Sequence, residues 1–257
     1  MKYFSIIALI ILFSCSGSEN FYDYKLKQIE SKIIQNKDEI FSLLEQSAKN
    51  ISKDGFTDAF IRMELDRLVG QKHYFIVGSF VNKDGFLQVT VPKQFAKNEG
   101  TDLNNQPHVN YVRRKKTKFI SQKFRAVQGF EAFSYILPIV RDNAFNGSLN
   151  ILLNPDKYLE YIVGDEIDKS NYDFLIFQAN GDVLYSTISE FRNINLLNPE
   201  IFKNNKLFQS LNDVIKSTTN GTKISNIENN RRHKFFWRNI DFENNQWKLL
   251  IIKSIYA

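Results

Sequence analysis

"SFVNKDGFLQVT" (79–90) and "IFQANGDVLYST" (176–187) decide how this chain of 257 residues is read. Each sets apolar runs of Phe, Ile, Val and Leu around a turn, Asp84-Gly85 in the first stretch and Asn180-Gly181 in the second. Gly, and beside it Asn or Asp, tolerates the backbone that tight hairpins demand, so both stretches spell strand, turn, strand. The order then continues. "TKFIS" (117–121) returns as "TKIS" (222–225), and a further pair of strands follows each. These are "FEAFSYILPIV" (130–140) with "GSLNILL" (147–153), and "HKFFWRNI" (233–240) with "QWKLLIIK" (246–253). Equivalent stretches lie roughly 100 residues apart, the size of one small domain. Three matches in one order predict two tandem α+β modules with mainly antiparallel sheets, over residues 71–163 and 164–257.

N-terminal to the repeat the pattern is helical. From Phe21 to about Ser52 there is neither Pro nor Gly. Ile29, Ile33, Ile40, Leu43, Leu44, Ala48 and Ile51 recur at intervals of three and four, the period of one long amphipathic helix. A second helix is expected after "KDGFTD", capped by Thr57 or Asp58 and closed at Gly70, so that 21–70 forms a helical lead-in.

The first 20 residues carry a different message. Lys2 precedes an apolar core from Tyr3 to Phe13, shorter than the roughly 20 residues a membrane span needs. Small residues follow at once in "SCSGS" (14–18). The junction "LFSC" (12–15) resembles the lipobox of bacterial lipoproteins, which implies a signal peptide over 1–14, a diacylglyceryl group on Cys15 and a lipidated tether over 15–20. Several acyl chains, at about 0.8 kcal/mol per buried CH₂, hold such a protein to the bilayer without a span. Cys15 is the single cysteine, so the mature chain is expected to contain no disulfide and no thiolate metal ligand. The expected location is the bacterial cell envelope, lipid-anchored and extracytoplasmic.

A net charge of +6 is mild, and apart from "RRKKTK" (113–118) and "RRH" (231–233) the positive charge is dispersed. Nucleic acid is not an expected partner of an exported chain.

The ordered set of "NKDGFL", "GTDLNNQPHV" (100–109), "KFISQKF", "FSYILPIVRDNAFNGSLNILLNPDKYLEYI", "ANGDVLYST" and the final "WKLLIIK" resembles the double Cache domain, the extracytoplasmic sensor of bacterial chemoreceptors and histidine kinases. The resemblance implies a long N-terminal helix beside two PAS-like modules, the first holding a small ligand. Family members have a membrane span on each side and a cytoplasmic signalling domain. Here the lipidated cysteine stands in for the first span and the sequence stops at Ala257, so any signal is expected to pass through a separate receptor or transporter. Amino-acid-binding members carry a Tyr, Arg, Trp, Tyr set and an Asp that holds the ligand amine. This sequence offers Tyr111 with Arg113 or Arg114 but no Trp, and Gln128 and Glu131 in place of the Asp.

Candidate ligand contacts are therefore His108, Tyr111, Arg113, Arg114, Arg125, Phe133 and Tyr135. Arginine forks two N–H groups onto a carboxylate or phosphate, so cavity-facing guanidiniums favour an anionic ligand, a carboxylate or amino acid among the options. Phe133 and Tyr135 share one face of a strand, where aromatics wall a pocket or fill a core. No catalytic or metal-binding set is expected. His73, His108 and His233 stand far apart, and the sequence has no G-x-S-x-G elbow, P-loop or dinucleotide fingerprint. No cofactor is expected either. "NGT" (220–222) reads as a turn. A second functional class, an adhesive or scaffolding lipoprotein without a pocket, shares these features.

Overall fold

The computed structural model describes residues 4–202, 206–228 and 231–256, without the side chains of residues 4–20, 54, 201–202, 206, 208, 226–228, 231 and 256. Cys15 and its expected acylation thus lie outside the described side chains. Helix α1 (Phe4–Asp54) runs through the segment expected as a leader and continues to the end of the amphipathic stretch. Helix α2 (Asp58–Val69) begins at Thr57, whose hydroxyl accepts from the Phe60 N–H, and is capped at Gly70. Among the described residues no helix is long and apolar enough to cross a membrane.

The chain divides into two compact units, one of residues 34–162 and 242–245, the other of 1–33, 163–241 and 246–257. The first unit holds β1 (Val77–Asn82), β2 (Leu87–Val91), a 3-10 helix (Lys93–Asn98), α3 (Pro107–Lys115), β3 (Phe119–Ile120), β4 (Phe124–Arg125), β5 (Glu131–Arg141) and β6 (Ala144–Leu153). Helix α4 (Pro155–Val163) follows. The antiparallel sheet has the order β2-β1-β6-β5-β3, with β4 paired to β5. The second unit holds β7 (Asp173–Gln178), β8 (Val183–Ser186), α5 (Pro199–Phe202), α6 (Lys206–Lys216), β9 (Gly221–Glu228), β10 (Arg231–Phe242) and β11 (Asn245–Tyr256), in the order β8-β7-β11-β10-β9. The fold is α+β, a long N-terminal helix with two antiparallel sheets.

The repeat is visible atom by atom. Gly85 and Gly181 both have φ +88°. The Gly85 N–H donates to the Asn82 carbonyl and that of Gly181 to the Gln178 carbonyl. Leu103 N–H then returns to Gly85 O, and Leu196 N–H to Gly181 O. Each hairpin also bulges one step before its turn, between Phe80 and Val81 and between Ile176 and Phe177.

In the first sheet, alternation sends Phe80, Phe133, Tyr135 and Ile151 to one face, where all are buried. Phe41 of α1 meets the Tyr135 ring there, with centroids 5.4 Å apart. α2 lies close on β1, so that a Cβ on Gly78 would stand 2.8 Å from Val69 Cγ2. The opposite face is covered by α3, the 102–106 loop and the β4–β5 turn. In the second sheet Leu175, Phe177, Phe235 and Leu250 pack with Leu196, Leu211 and Val214 into a continuous buried cluster. Trp247 and Tyr185 are buried. Trp237 is partly buried, and its indole N–H donates to the Thr219 carbonyl. At "NGT", Asn220 accepts from the Asn239 N–H, the behaviour of a turn residue.

Candidate functional site

A cavity opens on the α3 side of the first sheet. Its floor is Ser79 of β1, Ser134 of β5, and Asn150 and Leu152 of β6. Its roof comes from Gln106, His108 and Val109 at the start of α3 and from Phe124, Val127 and Gln128 around the β4–β5 turn, with Val81, Leu87 and Leu103 as an apolar side wall. The volume is about 30 Å³, room for one or two waters. The lining thus leaves only a small, partly open space of mixed polar and apolar character, and anything larger enters by displacing the roof.

Local sequence builds each part. Pro107 takes the first position of α3, where its missing N–H costs nothing, and Lys116 ends the helix with φ 55°. Val109 and Val112, three apart, are the buried side of that helix. Asn104 ties the loop before it to the first hairpin turn, donating to the Asp84 carbonyl. A Cβ on Gly85 would lie 2.3 Å from Asn104 Oδ1, so only glycine permits this approach. On the floor, Ser79 faces Asn150 in the β1–β6 register. The Asn150 amide donates weakly to the Ser79 and Ser148 carbonyls at 3.4 and 3.3 Å, and the Ser134 hydroxyl donates to Ile151 O at 3.1 Å.

Two groups in the roof stand out. Gln128 Oε1 is buried with no hydrogen-bond partner among the described residues. The His108 ring lies 4.7 Å from that of Phe124, and burial pushes its pKa down to about 4, so it is neutral at pH 7.

Of the seven residues expected at the site, His108 lines this cavity and the other six stand elsewhere. Tyr111 packs on Phe119, with centroids 4.6 Å apart. Arg113 donates to the side-chain oxygens of Asn104 and Asn110, both at 2.8 Å, and so braces the entry to α3. Arg114 is exposed on the last turn of α3. Arg125 points to solvent, its side chain 68% exposed and 3.7 Å from Glu131. Phe133 and Tyr135 are on the α1 face of the sheet with Tyr158, whose hydroxyl is 3.2 Å from that of Tyr135. The floor residues Ser79, Ser134 and Asn150 carry a signal in the sequence: small polar residues at buried positions of strands otherwise apolar on both faces.

The register assigns two of the floor residues, Ser79 and Asn150, counterparts in the second unit. Ser79 pairs with Asn150, and at the equivalent positions Leu175 pairs with Leu250. Both leucines are fully buried beneath α6. One sheet thus carries a polar floor where its repeat carries a solid hydrocarbon contact. Among the described residues no three His, Cys, Asp or Glu side chains are grouped to hold a metal ion.

Residues 36–155 match the model of the HK/GC/Chemotaxis protein-like sensor domain. The extracellular ligand binding receptor from Desulfohalobium retbaense superposes with TM-score 0.74 at 17% identity, over 91% of this chain. This chain spans 39% of that receptor. The periplasmic sensory domain of the Campylobacter jejuni chemoreceptor Tlp1 gives TM-score 0.69 at 12% identity, covering 93% of this chain and 95% of that one. The ligand-binding domain of the Pseudomonas aeruginosa amino acid chemoreceptor PctB, in complex with L-Arg, gives 0.69 at 12% identity, with coverages of 93% and 96%. No curated protein matches the chain in sequence.

Proposed function

We propose that this protein is an extracytoplasmic small-molecule sensor, tethered to the membrane through acylated Cys15, that binds its ligand in the cavity of the first unit and acts through a separate receptor or transporter. The observation that carries the reading is the buried, unpartnered Gln128 Oε1 over a floor of Ser79, Ser134 and Asn150. A buried acceptor left without a donor costs about 1–3 kcal/mol, and a ligand that supplies the donor recovers it. The contrast with Leu175 and Leu250 supports placing the site in the first unit alone. Structural neighbours that bind amino acids, L-Arg in PctB and L-serine in the Pseudomonas fluorescens CtaA domain, support small-molecule sensing as the use of the fold.

Within this reading His108 is a ligand contact, and Arg113 and Tyr111 position α3 behind it. An anionic ligand, expected from the arginines, would find no Lys or Arg in the cavity lining. The test is a thermal-shift and calorimetric screen of the purified full chain against amino acids, carboxylates, nucleobases and phosphates. A ligand for the native state raises its stability by RT ln(1 + [L]/Kd). A concentration-dependent rise in Tm with at least one compound is expected, and a flat response to all of them would overturn the proposal. Replacement of Cys15 by Ala is expected to release the protein from the membrane fraction of the bacterium.

A further inference from the structure

The cavity also restricts what chemistry it accepts, and this inference rests on the site proposed above. None of its lining residues is Asp, Glu, Lys or Arg. Of the arginines near it, Arg113 is spent on Asn104 and Asn110, and Arg125 faces Glu131 at the surface. His108 is the one ionisable group in the lining, and burial keeps it neutral. An ion transferred from water into such a space loses its hydration and gains no countercharge, a large penalty. An α-amino acid would bring two such charges.

The uncharged hydrogen-bonding capacity, by contrast, is ample. Gln128 Oε1 accepts. A neutral imidazole offers one donor and one acceptor, the Ser79 hydroxyl and the Gln106 amide offer both, and no described group pairs with the His108 ring nitrogens. The Phe124 ring beside His108 adds an apolar flat surface. We infer that the ligand is an uncharged polar molecule that donates an N–H or O–H to Gln128 Oε1, and that free amino acids, carboxylates and phosphates are excluded.

Calorimetric titration of the full chain at pH 7 tests this with two probe sets. The uncharged set is acetamide, uracil and nicotinamide. The charged set is L-serine, L-isoleucine, L-arginine, succinate and inorganic phosphate. Binding by at least one uncharged probe, and by none of the charged set, is expected. Replacing Gln128 by Leu should weaken that binding at least tenfold without lowering the Tm of the free protein, since the oxygen has no intramolecular partner to lose. A charged probe binding more tightly than every uncharged one overturns the inference and leaves the sensor reading standing. So does a Gln128→Leu variant with wild-type affinity. Silence from every probe overturns both.

Discussion

At the scale of single residues, the two sheets solve the problem of buried polar groups in different ways. Lys248 is 4% exposed. Its ammonium donates to the carbonyls of Val214 and Ile215 in the last turn of α6 and of Ser217 just beyond it, where helical partners run out. Burial pushes its pKa down to about 8, while three oxygens and the Phe177 ring receive the charge. Lys248→Met should keep the aliphatic packing and take a buried donor away from these carbonyls, lowering stability by about 2–3 kcal/mol in urea denaturation. Gly147 is a second fixed point. Its φ is +138°, and a Cβ there would lie 2.4 Å from Phe80 Cζ and 2.7 Å from the Val81 carbonyl. Gly147→Ala therefore forces both backbone strain and overpacking, and a loss of about 2–4 kcal/mol is expected, read as a drop in Tm.

At the scale of elements, the joint between α1 and α2 depends on Glu64. This carboxylate is 5% exposed and is bonded by Arg67 and by Asn50 of α1, while Arg67 also reaches Ser47. Burial alone would raise its pKa, but the hydrogen bonds from Arg67 and Asn50 outweigh it and hold the group below 4.5. The folded state therefore binds the proton less readily than the unfolded chain. The stabilisation is complete above 4.5 and is lost as pH falls through the depressed value. Wild-type stability should decline on acidification below about 4.5, and Glu64→Gln should be less stable at pH 7 with a shallower decline.

The elements were largely legible beforehand, because Asp84-Gly85, Asn180-Gly181, the Thr57 cap and the three-four spacing of α1 are local signals. The cavity was much less so. Alternation correctly places Phe133 and Tyr135 on one face of β5, but which face receives α1 depends on chain packing that no short window contains. The large rings went under the helix, and the serine between them was left to line the hollow. Arg125 was misleading for a related reason: β4 is only two residues long, at the rim, where a long cation reaches water more cheaply than it enters the interior.

At the scale of the whole molecule, two copies of one strand order differ in what fills them. Ligand binding should therefore slow amide hydrogen exchange near residues 79–81, 106–109, 124–134 and 148–152, and leave 174–178 and 247–252 at their unliganded rates. Equal slowing in both sets would speak against a site confined to the first unit. The pairing of Ser79 and Asn150 with Leu175 and Leu250 has an experimental use that follows from it. Temperature, salt and crowding act on any sheet of this build, whereas a recognised solute acts on only one. The chain consequently contains its own reference cell, as a double-beam spectrometer does, and subtracting the signal of the leucine copy from that of the serine copy isolates recognition from the weather of the solvent.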